Sequence, residues 1–152
     1  MNAIVGTYEC KVDAKGRVSL PAALKKQLPT LADGFVLKRS IYEKCLELWP
    51  MEEWQKMVVH INSLNRFVKE NDVFIRKFMA GVKQVEVDDA GRMLMAKDLL
   101  EYANISKEVV LSSKLNVIEI WDKEAYEKLL EDDSFDFAEL ASKVMGNTNL
   151  ME

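Results

Sequence analysis

Two stretches of this 152-residue chain repeat one short motif, and the repeat limits what the chain can fold into. Asp-x-x-Gly-Arg occurs at residues 13–17 and again at 88–92, an offset of 75. Two later blocks follow in the same order, at offsets of 74 and 72: residues 35–37 with 109–111, and 46–49 with 118–121. Ordered blocks with slowly drifting offsets indicate two copies of one unit that differ by small loop deletions. The length suits one domain or two small ones, and the repeat favours two.

Both copies predict the same order of elements. Asp at the first turn position and Gly at the fourth suit a type I turn, so each copy is expected to open with a β-hairpin that has the motif at its tip. A short helix follows, at residues 21–26 in the first copy and 97–103 in the second. Strand pairs are predicted next, at residues 35–39 with 45–49 and at 109–112 with 117–121. Amphipathic helices then begin at Pro50 and at Asp122, whose side chain is expected to cap its helix.

Apolar residues at spacings of three and four predict amphipathic helices between the copies. The predicted organisation is unit 1 at residues 7–54, a helical linker at 55–82, unit 2 at 83–126, and an acidic C-terminal helix and tail at 127–152. Units of about 45 residues are too small for a generous core of their own. They are therefore expected to pack together as a pseudo-dimer, and any apolar surface left over is expected to bind further subunits.

The net charge of −4 is unevenly distributed along the chain. Residues 1–40 have a net charge of +4, whereas residues 81–122 have −3 and residues 123–152 have −5. This asymmetry is typical of a basic binding face beside an acidic, solvating tail. Segregated charge can equally serve only to solvate the surface, so charge alone leaves both interpretations open.

Few residues suggest catalysis or metal binding. Cys10, Cys45 and His60 are isolated from one another, and a structural zinc site needs about four such ligands. His60 has no neighbouring Ser or Cys that suggests a catalytic triad. No enzyme activity, cofactor or metal site is therefore predicted. The chain start lacks the pattern of a signal peptide, and the longest apolar runs of three or four residues cannot span a bilayer, so a cytoplasmic protein without a membrane partner is expected.

The first motif is the best candidate for a binding site. Lys11, Lys15 and Arg17 crowd the tip of the first predicted hairpin, and Lys38 lies later in the same unit. A β-ribbon that carries Lys and Arg can enter the major groove of DNA, where Arg binds guanine through two hydrogen bonds.

A purely structural interpretation competes with DNA binding. Asp13 with Arg17, and Asp88 with Arg92, could form ion pairs that only stabilise the hairpins. An exposed ion pair contributes about 0–1 kcal/mol, which is a weak reason to repeat the motif. The residue pattern by itself leaves both interpretations open.

The motif, followed by Leu20-Pro21-Ala22 and later by Leu48-Trp49-Pro50 with Trp54, resembles the MraZ family of bacterial transcription regulators. The resemblance covers residues 4–130. It implies an α+β, β-rich fold in which two tandem SpoVT/AbrB-type swapped-hairpin units form a pseudo-dimeric double-split β-barrel with flanking helices. It also implies a homo-oligomeric ring that binds direct repeats of double-stranded DNA upstream of the division and cell-wall gene cluster.

The resemblance also assigns roles to individual positions. The family's Asp and Arg fall on Asp13 and Arg17 and on Asp88 and Arg92, with Gly16 and Gly91 at the turns, and the expected basic contributors are Lys11, Lys15 and Lys38. The second copy has Ala90 in place of Lys15 and an extra carboxylate at Asp89, so it is expected to bind DNA more weakly.

The expected function is sequence-specific transcriptional regulation, with repression as the expected outcome. The protein is expected at the nucleoid, bound to promoter DNA and without a small-molecule substrate. Two alternatives remain at this point: an antitoxin-like DNA-binding protein, and an oligomeric scaffold that does not bind DNA.

Overall fold

The structure, a computed structural model, describes residues 3–28 and 31–146. These residues form eight strands, six α-helices and a short 3-10 helix at Leu31–Asp33. The strands are β1 Thr7–Lys11, β2 Arg17–Ser19, β3 Phe35–Arg39, β4 Leu46–Pro50, β5 Lys83–Val85, β6 Arg92–Leu94, β7 Glu108–Lys114 and β8 Val117–Asp122. The helices are α1 Ala22–Lys25, α2 Met51–Asn62, α3 Lys69–Met79, α4 Lys97–Tyr102, α5 Lys123–Glu131 and α6 Phe137–Met145. Residues 147–152 of the predicted tail lie outside the described residues.

The strands form two antiparallel sheets that combine both units. The large sheet has the order β1-β7-β8-β4-β3-β5, and a two-stranded ribbon pairs β2 with β6. Exchanging equivalent strands of the two units reverses the order of the large sheet and leaves it unchanged, so the units are related by a pseudo-twofold axis. The axis passes between β4 and β8, where Glu47 faces Glu119, and between β2 and β6, where Val18 faces Met93. This arrangement confirms the expected α+β fold built from two tandem units.

The expectation that each copy opens with its own β-hairpin is wrong beyond the tip. The strands that flank each turn meet at a single bridge, Val12 with Val18 and Val87 with Met93. Beyond the bridge they separate, because β1 pairs with β7 and β2 pairs with β6, both from the other unit. A tight turn fixes only the residues beside it, and burial of apolar strand faces decides the partner farther along.

Two apolar clusters lie on opposite faces of the large sheet. The larger one packs the sheet against the ribbon and against helices α1 and α4, whose Leu24 and Leu99 are buried at equivalent positions. The smaller one packs α2 and α3 onto the other face through Trp49, Trp54 and Phe78. The rings of Trp54 and Phe78 are stacked with centroids 5.9 Å apart. The predicted linker helices thus pack on the sheet of their own chain.

Aromatic packing repeats together with the sequence. Trp49 meets Trp54 edge to face at 6.0 Å between centroids, and the equivalent residues Trp121 and Tyr126 meet in the same way at 6.2 Å. Helices α2 and α5 are therefore fixed to their strands by the same kind of contact. One expected detail is wrong, because Asp122 makes no side-chain capping hydrogen bond at the start of α5. Asp136 does cap α6, since its carboxylate accepts from the Glu139 N–H at 3.2 Å.

Replacing Leu48 with Ala tests the assignment of the core. Leu48 is buried in the central strand β4, so we expect Leu48→Ala to lower the free energy of unfolding by about 2–5 kcal/mol. Val59→Ala on the exposed face of α2 is the control, with an expected change of about 0.5 kcal/mol or less. Urea unfolding followed by circular dichroism measures both. Equal effects of the two substitutions would contradict the assigned core.

Candidate nucleic-acid interface

The β2–β6 ribbon presents two arginines on one outer face. Pairing aligns Arg17 with Leu94, Val18 with Met93 and Ser19 with Arg92. Val18 and Met93 point into the core and are buried, so the alternation of a strand leaves the other four side chains on the outside. Arg17 and Arg92 therefore lie at diagonal corners of this face, and their Cα atoms are about 7–8 Å apart across the ribbon.

The first motif forms a tight turn that is braced by its own aspartate. The Asp13 N–H donates to the Arg17 carbonyl at 2.9 Å, and the Gly16 N–H donates to the Asp13 carbonyl at 3.0 Å. Gly16 has φ +88°, a conformation that other residues rarely adopt. The Asp13 Oδ1 atom accepts from the Lys15 and Arg17 N–H groups, both at 2.9 Å. The turn is thus held by backbone and side-chain hydrogen bonds together.

The second motif repeats this geometry. The Asp88 Oδ1 atom accepts from the Ala90 and Arg92 N–H groups, both at 2.9 Å. The Gly91 N–H donates to the Asp88 carbonyl at 2.9 Å, and Gly91 has φ +79°. The turns differ mainly in side chains, because Ala90 stands where the first turn has Lys15.

Each aspartate also holds the arginine of its own motif. The Arg17 Nε–H donates to Asp13 Oδ2 at 2.8 Å, and the Arg92 Nε–H donates to Asp88 Oδ2 at 3.2 Å. Among the described residues, the terminal guanidinium nitrogens of both arginines have no hydrogen bond or ion pair. The structural ion pair exists, therefore, but it uses only Nε. It fixes the direction of each side chain and leaves the terminal edge able to bind an acceptor.

The turns lower the pKa of both motif aspartates. Backbone hydrogen bonding from Arg17 is the largest cause for Asp13, and backbone hydrogen bonding from Arg92 is the largest cause for Asp88. Hydrogen bonds and positive charge favour the ionised carboxylate. Both braces are therefore intact at neutral pH.

The two tips are connected by backbone hydrogen bonds across the pseudo-axis. The Leu20 N–H donates to the Gly91 carbonyl and the Met95 N–H donates to the Gly16 carbonyl, both at 2.9 Å. Each tip thus depends on a residue that follows the ribbon strand of the other unit. The two arginines are consequently parts of one surface.

Sequence reasoning missed two lysines beside the tips. The Lys25 amino group lies against Gly91, only 2.7 Å from where a Cβ atom at that position would be. Lys107 lines a pocket beside the first tip together with Lys11 and Asp13. Both lysines reach the motif of the opposite unit. The repeat offset of 75 places Leu100 at the position of Lys25, and Leu100 lies against Gly16 of the opposite motif in the same way. Finding the two lysines from the sequence would have required knowing that the units exchange strands.

Most of the predicted basic residues lie near the ribbon, but one does not. Lys11 and Lys15 are exposed beside the first tip, next to Arg17. Lys38 is only 1% exposed, and its amino group donates to the Arg39 carbonyl and pairs with Glu47 at 3.7 Å. Burial lowers the pKa of Lys38. The expectation that Lys38 contributes to a DNA-binding surface is therefore wrong, because strand β3 is covered on both faces.

Other chemistry has little support among the described residues. Cys10 and Cys45 are both free thiols, and burial raises the pKa of both, to about 12 for Cys45. A thiol with such a pKa is not a nucleophile at neutral pH. Residues 3–28 and 31–146 contain no group of three or more His, Cys, Asp or Glu side chains arranged to hold a metal ion. Within the same ranges, no helix has the length and apolar character required to cross a bilayer.

The aspartate pKa values give a test of the braced turn. We expect NMR titration to show the Asp13 pKa below the ordinary value of 3.8, and Arg17→Gln to raise it only in part, because the backbone N–H donors remain. Folding lowers this pKa, so the stabilising contribution of Asp13 is present above the unfolded pKa and is lost as the pH falls through the folded one. An Asp13 pKa at or above that ordinary value would contradict the braced geometry.

Comparison with known proteins supports the repeat and the family resemblance. The family model described as "MraZ protein, putative antitoxin-like" matches twice, at residues 3–77 and 78–147. A transcriptional regulator MraZ of Christiangramia forsetii is 61% identical over 145 residues, which cover 95% of this chain and 94% of that protein. The same-named protein of Flavobacterium psychrophilum is 59% identical over 150 residues, covering 98% and 96%, and that of Cytophaga hutchinsonii is 38% identical over 148 residues, covering 97% and 98%. With two matches in tandem and relatives of this similarity over nearly its full length, the chain belongs to the MraZ family.

Proposed function

We propose that this protein is a DNA-binding transcriptional regulator that contacts the major groove through the β2–β6 ribbon. The observation that carries the proposal is the shared outer face on which Arg17 and Arg92 are each held by an aspartate through Nε alone. The names of the relatives, which are transcriptional regulators, agree with this assignment.

The dimensions of the ribbon suit the groove. A two-stranded β-ribbon fits the major groove of B-DNA, which is about 12 Å wide. The diagonal separation of about 7–8 Å between Arg17 and Arg92 corresponds to about two base-pair steps along the groove. Each arginine can then offer its terminal nitrogens to the O6 and N7 atoms of a guanine.

The surrounding lysines provide attraction that does not depend on sequence. Lys11, Lys15 and Lys107 lie at the first tip, whereas Lys25 lies at the second. The second tip also has Asp89 and lacks a counterpart of Lys15. We therefore assign the stronger DNA contact to the first tip, with lysines on phosphates and Arg17 on base edges.

The proposed operator consists of direct repeats in the promoter of the division and cell-wall gene cluster. Single ribbons with modest affinity can bind such repeats tightly when several are joined in one particle, because the first contact raises the effective concentration of the next. A closed ring of subunits provides this arrangement. Bound in this way at the nucleoid, in the cytoplasm, the protein would repress transcription by blocking access of the polymerase.

Arg17 is the residue that tests the assigned interface most directly. With a duplex from the protein's own upstream region at fixed salt, we expect Arg17→Ala to weaken binding by about 1–3 kcal/mol, roughly 5- to 150-fold. Arg92→Ala should have a smaller effect. Lys15→Ala should weaken binding similarly to specific and unrelated duplexes, and should reduce the salt slope by about one. Fluorescence anisotropy measures all four proteins.

The matched control for these variants is Lys69→Ala, at the exposed start of α3 on the opposite side of the large sheet. It removes one positive charge without touching the ribbon, and its binding should equal that of the unmodified protein. If Arg17→Ala and Lys69→Ala bind equally well, the ribbon is not the interface. If the unmodified protein binds no DNA, the alternative of an oligomeric scaffold is favoured.

The repressor role has a separate test in cells. Deleting the gene should raise the activity of a reporter driven by the promoter of the division and cell-wall cluster, and a plasmid copy of the unmodified gene should lower it again. A plasmid copy with Arg17→Ala should restore repression only in part. Unchanged reporter activity after deletion would rule out repression at that promoter without affecting the assigned DNA-binding surface.

A further inference from the structure

A cleft of about 410 Å³ opens where the end of β3 meets the end of α3 and helix α4, so unit 1, the linker and unit 2 all contribute to it. Its lining combines the cations Arg39 and Lys77 with the aromatic rings of Phe74, Phe78 and Tyr102. Lys38 also borders the cleft, but its buried amino group is already paired with Glu47. In the part of the chain that the structure describes, no acidic side chain lines the cleft. We call it the cationic cleft, and a group that fits it must bring negative charge and apolar surface together.

The positive charge at this cleft is poorly balanced within the chain. The Arg39 guanidinium and the Lys44 amino group both lie over the Tyr102 ring, at 5.0 and 4.3 Å from its centroid. Arg39, Lys44 and Lys77 form no ion pair with any described residue. Among the described residues, the buried Arg39 Nε atom has no hydrogen-bond partner, and it lies 3.2 Å from where a Cβ atom of Gly81 would be. A guanidinium held in this way is fixed in place and lacks an anion.

The second unit shows that the fold does not require these cations. At the repeat offset of 74, Lys38 and Arg39 correspond to Ser112 and Ser113. Ser112 lies within hydrogen-bond distance of the Tyr126 hydroxyl, and the Ser113 hydroxyl donates to the Gly6 carbonyl, so both are satisfied inside the chain. Lys38 and Arg39 of the cationic cleft therefore have no charged counterparts at the pseudo-symmetric positions.

A surface with the complementary chemistry lies at the other end of the chain. Residues 131–137, the acidic aromatic segment, contain four carboxylates, no cation and two phenylalanines. Phe135 is 71% exposed and Phe137 is 81% exposed. Asp132 and Asp136 accept local N–H groups, whereas Asp133 has no partner among the described residues. The segment thus leaves both aromatic rings and a carboxylate exposed to solvent.

Helix α6 occupies the position in the chain that α3 has after α2, but the two helices pack differently. Helix α3 follows α2 and packs through Phe78 against Trp54 and the large sheet. Helix α6 follows the equivalent helix α5, yet none of its residues is buried, and Leu140 and Val144 are exposed one turn apart. The C-terminal region therefore projects from the unit that carries it.

We propose that the cationic cleft receives the acidic aromatic segment of a neighbouring copy of this chain. Arg39 and Lys77 bind the carboxylate of Asp133, and Phe135 packs among Phe74, Phe78 and Tyr102. The contact is a specific form of the ring proposed above and depends on that oligomer. Because the cleft and the segment are different surfaces, the contact is head to tail, which closes into a ring when the rotation between subunits permits.

Charge reversal on each side of the contact tests this proposal. The full-length protein and the variants Lys77→Glu and Asp133→Lys are compared by size exclusion with light scattering over a range of concentrations. We expect each variant to raise the dissociation concentration of the oligomer about tenfold or more, because like charges then face each other at the contact. Lys69→Glu, on the same helix but away from the cleft, is the matched control and should leave the mass unchanged. Circular dichroism confirms that all variants are folded.

Mixing the two variants identifies which molecules supply the two surfaces. In an equimolar mixture, the Lys77→Glu and Asp133→Lys variants can alternate around the ring. Every contact then joins opposite charges, so we expect the oligomer to return. Restored mass with an unaffected Lys69→Glu supports the proposal. Unchanged mass in both single variants, or a mixture that stays dissociated, overturns the docking assignment while the ring itself stands. A monomeric unmodified protein, near 17.4 kDa, overturns both.

Anisotropy with a duplex that carries a single repeat separates this contact from DNA binding. Neither surface includes a residue of the β2–β6 ribbon or its tips, so both charge-reversal variants should bind the short duplex as the unmodified protein does. Loss of binding in these folded variants would show that residues 77 and 133 act at the DNA interface, which overturns their assignment to a subunit contact.

Discussion

Neither unit can complete its own sheet, and the rest of the structure depends on this exchange. β1 finds its partner in β7, β5 in β3, and the short strands β2 and β6 pair only with each other. Each of these strands would otherwise expose an apolar side, including Val18 and Met93, which are fully buried at the centre of the ribbon. A unit of about 45 residues lacks the interior volume to bury such strands alone. The pseudo-dimer is thus a condition for folding, and the ribbon is a product of it.

Because the ribbon belongs to both units, so does the chemistry at its tips. The carbonyls of Gly16 and Gly91 each accept a hydrogen bond from the opposite unit. The aspartate of each motif holds its turn and its arginine at once, with one carboxylate oxygen for each task. A side chain preorganised in this way loses less conformational freedom when it binds a target. Structural and functional interpretations of the motif are therefore complementary, since the ion pair that stabilises the turn also directs the arginine.

The sequence was sufficient to locate the repeat, nearly every strand and helix, and both motif turns, because these depend on local spacing. It was not sufficient to show the exchange, since the same turn serves whether or not its flanking strands pair beyond it. Lys38 illustrates a second limit, because nothing local shows that a charged residue will be buried beside Glu47. Lys25 and Lys107 were missed because of this strand exchange, since each lies far in sequence from the tip that it approaches. Asp122 failed as a cap because a suitable residue type does not ensure that the side chain turns toward the helix.

Glu47 and Glu119 face each other across the pseudo-axis, and their surroundings show what fusing two units into one chain permits. Each accepts from a tryptophan two residues later, but Glu47 pairs with the buried Lys38 whereas Glu119 pairs with the exposed Lys114. In a dimer of identical chains, a substitution at one of these positions would appear at both. A tandem chain can instead change one half while the other keeps its original role. The pseudo-symmetry thus relates the backbone and the motif side chains but not these ion pairs, which gives the molecule two distinguishable ends on which polarity can be built.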